Sequence, residues 1–398
     1  MSEDTPTYDY LIVGGGMVAD AAARGIRERD ETGRIGILSA DGDEPYTRPA
    51  LTKKLWTDPD FTWEQVPLNT VADTGADLRL NTLVTRIDRF GRAVETADGE
   101  TVGYRRLLLA TGSRPRTIPA PEGDDRVVAF RSAHDYRRLR DLATRGGRII
   151  VVGGGYIGTE IAAALVQNGV ETELVFPDET LGASQFPPAL AERHQALFVD
   201  GGVRLVPGRR VEEIRAEGNI LHAVLDDGGV RAGDAVVIGL GADPVVDLAA
   251  EAELAVDDGV LVDEHLTTSD DSIWAAGDIA VYPDPILGRS RVEHVDNATE
   301  MGEAAGRAMA GEEAPYRHTP YFYSQVFGTR WEAVGTIDAS CDPLTVDLDD
   351  ERAVVYYRDE TGAPIGVLLW NVSDARDLAR AVLVDRERSE PALRARIR

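Results

Sequence analysis

A chain of 398 residues exceeds what one hydrophobic core usually serves, so two or three domains are expected, and the single cysteine, Cys341, excludes an intrachain disulfide, a CxxC pair and a four-cysteine metal site. The net charge of −27 is spread along the chain and sets it against nucleic acid and anionic lipid, while the near absence of lysine beside abundant arginine suits a high-salt, halophilic source. No apolar run approaches the ~20 residues of a membrane span, the start "MSEDTPTYDY" lacks the regions of a signal peptide, and the six histidines have no metal-ligand spacing, so a cytoplasmic protein without a metal is expected.

In chain order, "YLIVGGGMVADAAARGI" (10–26) is predicted to run as strand, glycine turn and helix. Gly14, Gly16 and Ala19 fit G-x-G-x-x-G/A: the first permits a tight turn, the second lets backbone approach a pyrophosphate, and the small Ala19 allows close packing. Gly15, Met17 and Val18 complete the anion site at the helix start. Residues 78–104 alternate ("LRLNTLVTRID", "AVETADG", "TVGYRRLLL") and predict a small antiparallel set, and "RLLLATGSRPR" (106–116) a strand ending in a glycine turn.

A second strand, turn and helix follows at "IIVVGGGYIGTEIAAAL" (149–165). Gly153, Gly155 and Gly158 match the full pattern, Gly154, Tyr156 and Ile157 fill the turn, and a carboxylate, Glu160, stands just inside the helix. The next strand, "ETELVF", ends in acids: Asp178 or Glu179 stands where a ribose 2′-hydroxyl would be bound, and with no arginine nearby NADH is favoured over NADPH. From Val203 the alternation returns ("VRLVPGRRVEEI", "NILHAVLDDGG", "RAGDAVVIGLGADP"), so each glycine turn is followed by a β-meander and a strand ending in glycine. Then come "SIWAAGDIAVYP", a helix over "DNATEMGEAAGRAMAG", a linker at "GEEAPYRHTP", a hairpin turning at Glu360 to Gly362 and a final helix from Ser373. Two dinucleotides in one chain imply hydride transfer between a bound flavin and a visiting nicotinamide.

Around the two turns stand, in order, "EPYTRPALTKKLW" (44–56), "ATGSRPR", "IWAAGD", "RVEHVDNA" and "VLLWN". Together they resemble the FAD- and NAD-dependent pyridine nucleotide oxidoreductases over essentially the whole chain, with the redox region of apoptosis-inducing factor and the ferredoxin reductases of oxygenase systems as near branches. The resemblance implies a glutathione-reductase-like α/β fold with two Rossmann-like domains: FAD-binding 1–119 and 246–314, an inserted NADH-binding domain 120–245, and a small α+β carboxy-terminal domain 315–398.

The same resemblance implies FAD contacts at the Gly14 to Ala19 turn, Asp41, Arg48 on the phosphates, Lys53 beside the flavin ring, backbone at Val84, Thr111, Gly112 and Arg116, Asp278 on the ribityl chain, and Glu293, His294 and Val295, where a helix start faces the flavin carbonyl. For NAD it implies the Gly153 to Gly158 turn, with Tyr156 covering the flavin until nicotinamide displaces it, then Asp178, Gly241, Tyr323, Glu332 and Asn371; Trp331 and Trp370 beside the last two are core candidates. Lys53 is expected to pair with Glu160 as the catalytic pair. Three departures stand out: Ala40 occupies the position of the usual ribose acid, with Asp41 one step later; Ser184 replaces a basic NAD contact; and the long insertion of apoptosis-inducing factor is absent.

Two functions follow from the resemblance. One is an oxidoreductase passing electrons from NADH through FAD to a ferredoxin, quinone or similar acceptor; an acidic ferredoxin calls for a basic patch, with "RSRVEH" (289–294), "YRRLR" (136–140) and "RGGR" (145–148) as candidates. The alternative is an NADH-responsive redox switch, whose FAD–NAD complex alters partner binding or a monomer–homodimer equilibrium.

Overall fold

In the computed structural model, which describes residues 6–398, a mixed sheet and a parallel sheet each have a strand that runs out into a glycine turn and helix, and the chain divides between them into two units. The first takes the chain up to Arg48, Trp63–Arg114 and Pro244–Pro320; the second takes Pro49–Thr62, Pro115–Asp243 and Tyr321–Arg398. Two of the passages from one to the other fall within strands, β7 (Ser113–Pro115) and β16 (Ala242–Pro244).

The first unit centres on β1 (Thr7–Val13), apolar at successive positions because helices and strands cover both its faces. Strand order is β3 (Asp77–Arg79), β2 (Ile35–Leu38), β1, β6 (Thr101–Leu109), β5 (Ala93–Thr96), β4 (Val84–Asp88), with β18 (Ile273–Ala275) parallel to β6. Helix α1 (Met17–Arg27) crosses α8 (Val295–Met309) closely, through the small Ala22, Gly302 and Gly306. The short helices α3 (Thr70–Thr74) and α7 (Asp247–Glu251) and the strands β17 (Val260–Leu261), β19 (Ala280–Asp284) and β20 (Gly288–Ser290) complete the unit.

Two expectations about this unit need correction. The alternating stretch from Leu78 is not one antiparallel set: β3 pairs parallel with β2, and only after a turn with Asn81 at φ 52° does the antiparallel β4–β5 pair begin. Alternation reports which face a residue points to and says nothing of strand direction. The stretch taken for a linker is pinned down: Tyr316 is buried, its hydroxyl donating to Asn297 Oδ1 (3.0 Å) and its N–H to the Glu264 carbonyl (2.7 Å), and His318 Nε2 lies 2.6 Å from Asp296.

The second unit has the parallel order β11 (Arg204–Val206), β10 (Glu171–Val175), β9 (Arg148–Val152), β15 (Ala235–Ile238), β8 (Val127–Ala129), flanked by the meander β12 (Val211–Glu217), β13 (Ile220–Leu225) and β14 (Val230–Gly233). Helices α4 (Ala133–Arg145), α5 (Tyr156–Gln167) and α6 (Pro188–Asp200) belong to it. The last third of the unit is an antiparallel sheet ordered β21 (Tyr321–Val326), β22 (Thr329–Gly335), β25 (Pro364–Trp370), β24 (Ala353–Arg358), β23 (Asp342–Asp347). Trp331 and Trp370 are buried with Phe186 and Tyr357 in its core. The final helix expected from Ser373 is two, α9 (Arg376–Asp385) and α10 (Glu390–Arg396), separated where Arg386 turns left-handed at φ 51°.

The segment Pro49–Thr62, which carries the short helix α2 (Lys54–Thr57), lies along the second unit as a strap. Trp56 anchors it: the indole is buried edge-on to Tyr136 with ring centroids 5.6 Å apart, the Arg140 guanidinium lies 4.7 Å over it, and Asn168 Nδ2 donates to its carbonyl (3.0 Å).

Candidate active site

In the first unit, Gly14 is demanded by the protein's own packing. It sits at φ 120°, and a Cβ there would lie 2.1 Å from the Ala110 carbonyl oxygen. Gly16, directly before α1, is different: the nearest atom to a Cβ would be Arg48 Nη2 at 3.8 Å. The turn therefore leaves open space above the first N–H groups of α1, overlooked by a guanidinium, which is a cradle for a phosphate. Thr111 Oγ1 donates to the Val245 carbonyl (2.6 Å), Val245 N–H to the Gly112 carbonyl (2.9 Å), and the next residue, Ser113, donates to Asp278 Oδ2 (2.9 Å).

Other expected residues of this unit have partners of their own. The Asp41 carboxylate accepts from the Asp43 N–H (3.2 Å) and the Tyr46 hydroxyl (3.4 Å), Val84 is buried in the β4–β5 pairing, and Glu293 is ion-paired with Arg291. His294 occupies the position before α8 without capping it through its side chain, and Val295 opens the helix. Arg116 falls in the second unit instead. Its guanidinium donates twice to Asp243 Oδ1 (2.9 and 2.7 Å) and its N–H to the Gly241 carbonyl (2.9 Å), so residues expected at different cofactors stand together.

In the second unit the contrast between glycines repeats. Gly153, at φ 111°, and Gly158 are enforced by close backbone, and Gly154 is backed by Phe176 and Leu181; at Gly155 a Cβ would meet nothing within 4 Å, at an ordinary φ of −80°. A glycine that its own protein does not need is kept for something outside the chain. The acids after β10 are met by the loop following β11: Gly208 N–H donates to the Asp178 carbonyl (2.9 Å) and Arg209 N–H to the Phe176 carbonyl (3.0 Å). The expectation of no arginine nearby is thus corrected, since chain return brings Arg209 beside this turn. Its guanidinium is drawn to Asp227 (2.6 Å).

Deeper in α5, the Glu160 carboxylate is buried and fully engaged. Oε2 accepts from Lys53 Nζ and from Thr52 Oγ1, each at 2.6 Å, and Oε1 accepts from Ser324 Oγ at 2.7 Å. Such a pair offsets its desolvation through the donors that serve both carboxylate oxygens. The Lys53 ammonium lies 5.3 Å from the Tyr323 ring centroid, with the Arg330 guanidinium at 4.4 Å from the same ring. Glu332 is buried and holds two arginines, Arg330 (2.7 Å) and Arg376 (3.3 Å). The Asn371 side chain closes the β22–β25 end, accepting from Arg330 N–H (3.0 Å) and donating to the Glu351 carbonyl (3.2 Å).

Tyr156 packs on Trp331 and Phe322, with centroids 5.3 and 6.1 Å away; burial pushes its phenol upward, and the Glu160 charge adds to the shift. Burial likewise raises the Tyr323 phenol, against the pull of Arg330. The expected pair Lys53–Glu160 is therefore present, but its hydroxyl partners Thr52 and Ser324 were missed, because an isolated Ser or Thr carries no pattern.

Three arginines of the arginine-rich stretches are matched by acids: Arg291 with Asp258 and Glu293, Arg138 with Asp125, Arg148 with Glu171. Among the described residues there is no group of three or more His, Cys, Asp or Glu placed to hold a metal, and no helix long and apolar enough to cross a membrane.

A mixed and a parallel sheet, each with a strand, glycine turn and helix, the second helix bearing a buried glutamate paired with Lys53, define an α/β protein of the two-dinucleotide class. Residues 8–302 match the family described as pyridine nucleotide-disulphide oxidoreductase, and the chain belongs to it. It is 34% identical to the ferredoxin–NAD(+) reductase component of the anthranilate 1,2-dioxygenase system of Burkholderia cepacia, over 83% of this chain and 82% of that one. It is 28% identical to apoptosis-inducing factor 1 of Dictyostelium discoideum, over 97% and 80%. A crystal structure of the covalent putidaredoxin reductase–putidaredoxin complex matches with a TM-score of 0.87 and 27% identity, over 97% of this chain and 95% of that one.

Proposed function

We propose that the chain is an NADH-dependent flavoprotein reductase that passes electrons to a small ferredoxin-type protein. The observation that carries this reading is the Lys53–Glu160 pair on the helix of a dinucleotide turn. Support comes from the ferredoxin-linked relatives and from open glycine cradles in both units, which fit a resident FAD at Gly14–Ala19 and a visiting NADH at Gly153–Gly158. When bound, the two cofactors supply a hydride donor and an acceptor.

The protein's part is binding and placement. Arg48 and the first N–H groups of α1 neutralise a pyrophosphate, and the corresponding amides of α5 do so for the second. Asp178 or Glu179 disfavours a 2′-phosphate, and Asp227 keeps Arg209 from reversing that preference. Glu160, itself buried, holds the Lys53 ammonium at one defined position, where its charge can act on a neighbouring reacting centre. With a single cysteine the chain cannot form a disulfide within itself, so the electrons leave to an external acceptor, a ferredoxin or a quinone. The reading includes a cytoplasmic monomer or homodimer from a high-salt organism, in keeping with the composition.

Anaerobic titration tests it. The purified protein is expected to be yellow and to bleach stoichiometrically with NADH at concentrations where NADPH does little, and then to reduce a ferredoxin in steady turnover. A colourless protein that takes up no flavin would sink the proposal.

A further inference from the structure

The two oxygens of Glu160 are served by different parts of the chain. Oε2 faces the strap, receiving Lys53 and Thr52, whereas among the described residues Oε1 receives only Ser324, from β21. Ser324 is itself buried, and it follows Tyr323, whose ring lies under the Lys53 ammonium. We propose that Ser324 is a positioning residue for hydride transfer, acting through Glu160; this rests on the flavoprotein reading above.

The physical reason is torsional. The terminal torsion of a glutamate is broad and roughly two-fold, so a carboxylate held at one oxygen can still swing. Lys53 and Thr52 together hold Oε2 but leave the plane of the group undefined. The Ser324 hydroxyl, donating to Oε1, sets that plane and thereby the point at which Oε2 meets Lys53. Without the hydroxyl, Oε1 is a buried acceptor with no partner, and the carboxylate must turn to find one. Lys53 then follows a moving anchor, and a charge displaced by a fraction of an ångström serves a reacting centre poorly.

The test uses the full-length, FAD-loaded protein. At saturating NADH, the anaerobic rate of flavin bleaching in Ser324→Ala is expected to fall by about tenfold or more, the size of a lost hydrogen bond to a charged group, while NADH affinity stays within about threefold. Placed on Glu160→Gln, whose own loss is larger, Ser324→Ala is expected to add almost nothing, because the residue it acts through is already altered. Ser324→Cys, close in size and a weaker donor, should fall between; it also replaces Ser324→Ala should that variant not fold.

A second readout needs no turnover. Lys53 and Lys54 are the only lysines of the chain, so brief treatment with an acetylating reagent and peptide mass analysis give a ratio in which the exposed Lys54 is the internal reference. Lys53 is expected to lag in the wild type and to gain severalfold on Lys54 in Ser324→Ala. An unchanged bleaching rate in Ser324→Ala, or a loss fully multiplicative with that of Glu160→Gln, overturns the proposal. A protein that binds no flavin overturns the function instead, and the labelling ratio then decides by itself whether Ser324 holds the pair.

Discussion

Glu160 and His194 are both buried ionisable groups, and the structure handles them in opposite ways. Glu160 keeps three donors; His194 sits among Phe186, Phe198 and Trp370, and among the described residues its Nδ1 has no hydrogen-bond partner. Burial lowers the His194 pKa to about 4. Between about 6.5 and 4 the unfolded chain therefore binds a proton that the folded chain refuses, so this residue's contribution to stability is intact above pH 6.5 and is lost as pH falls toward 4. The loss amounts to about 3 kcal/mol across that window. His194→Phe should flatten the corresponding part of the stability profile, which urea unfolding of both proteins at pH 7 and pH 4.5 measures; parallel profiles would refute it. At this scale the sequence was readable only where a residue lies in a family segment. Lys53 was legible through the resemblance of "PYTRPALTK", whereas nothing marked Ser324, Thr52 or the surroundings of His194.

The two strand–turn–helix units were legible because their spacing is rigid: a tight turn, an approach and a packing contact fall at set intervals in any sequence that builds them. Within each turn the glycines serve different masters, and substitution separates them. Gly153→Ala places a Cβ 2.4 Å from the Gly239 carbonyl oxygen at a φ that side chains avoid, and should cost several kcal/mol of stability. Gly155→Ala meets nothing within 4 Å among the described residues and should leave the melting temperature nearly unchanged while weakening NADH binding by about tenfold or more, since a methyl group then occupies the cradle. Thermal melts and NADH titration of both variants distinguish the roles; equal destabilisation by the two would show that Gly155 is a packing glycine after all. Less legible were β3 and the 311–320 segment. Strand direction leaves no trace in alternation, and a polar composition conceals a single buried tyrosine, Tyr316, which is enough to fasten a stretch that reads as linker.

Across the whole molecule, charge is the dominant global property. Arginines are widely paired with acids, yet the net charge of −27 remains and repels itself through solvent. Salt shortens the reach of that repulsion from ~10 Å at 0.1 M to ~3 Å at 1 M. The melting temperature is therefore expected to rise by several degrees over this range; a fall would mean that the ion pairs outweigh the repulsion. The overall class was open to sequence reading because two glycine motifs and five family segments recur in order. Membership of the strap in the second unit was not, because contiguity in sequence says nothing about which sheet a segment joins.

That strap limits how this protein can be taken apart or recombined. A fragment running from Pro115 to Arg398 holds the whole second parallel sheet and the whole antiparallel sheet, yet lacks Thr52, Lys53 and Trp56, so it would expose an unpaired acid on α5 and a bare aromatic face on α4. Any exchange of this unit with a relative must carry fourteen residues from elsewhere in the chain, Pro49–Thr62, along with it. The unit to be exchanged is a discontinuous one, and chimaeras cut at the obvious sequence boundaries would separate Lys53 from the glutamate it pairs with.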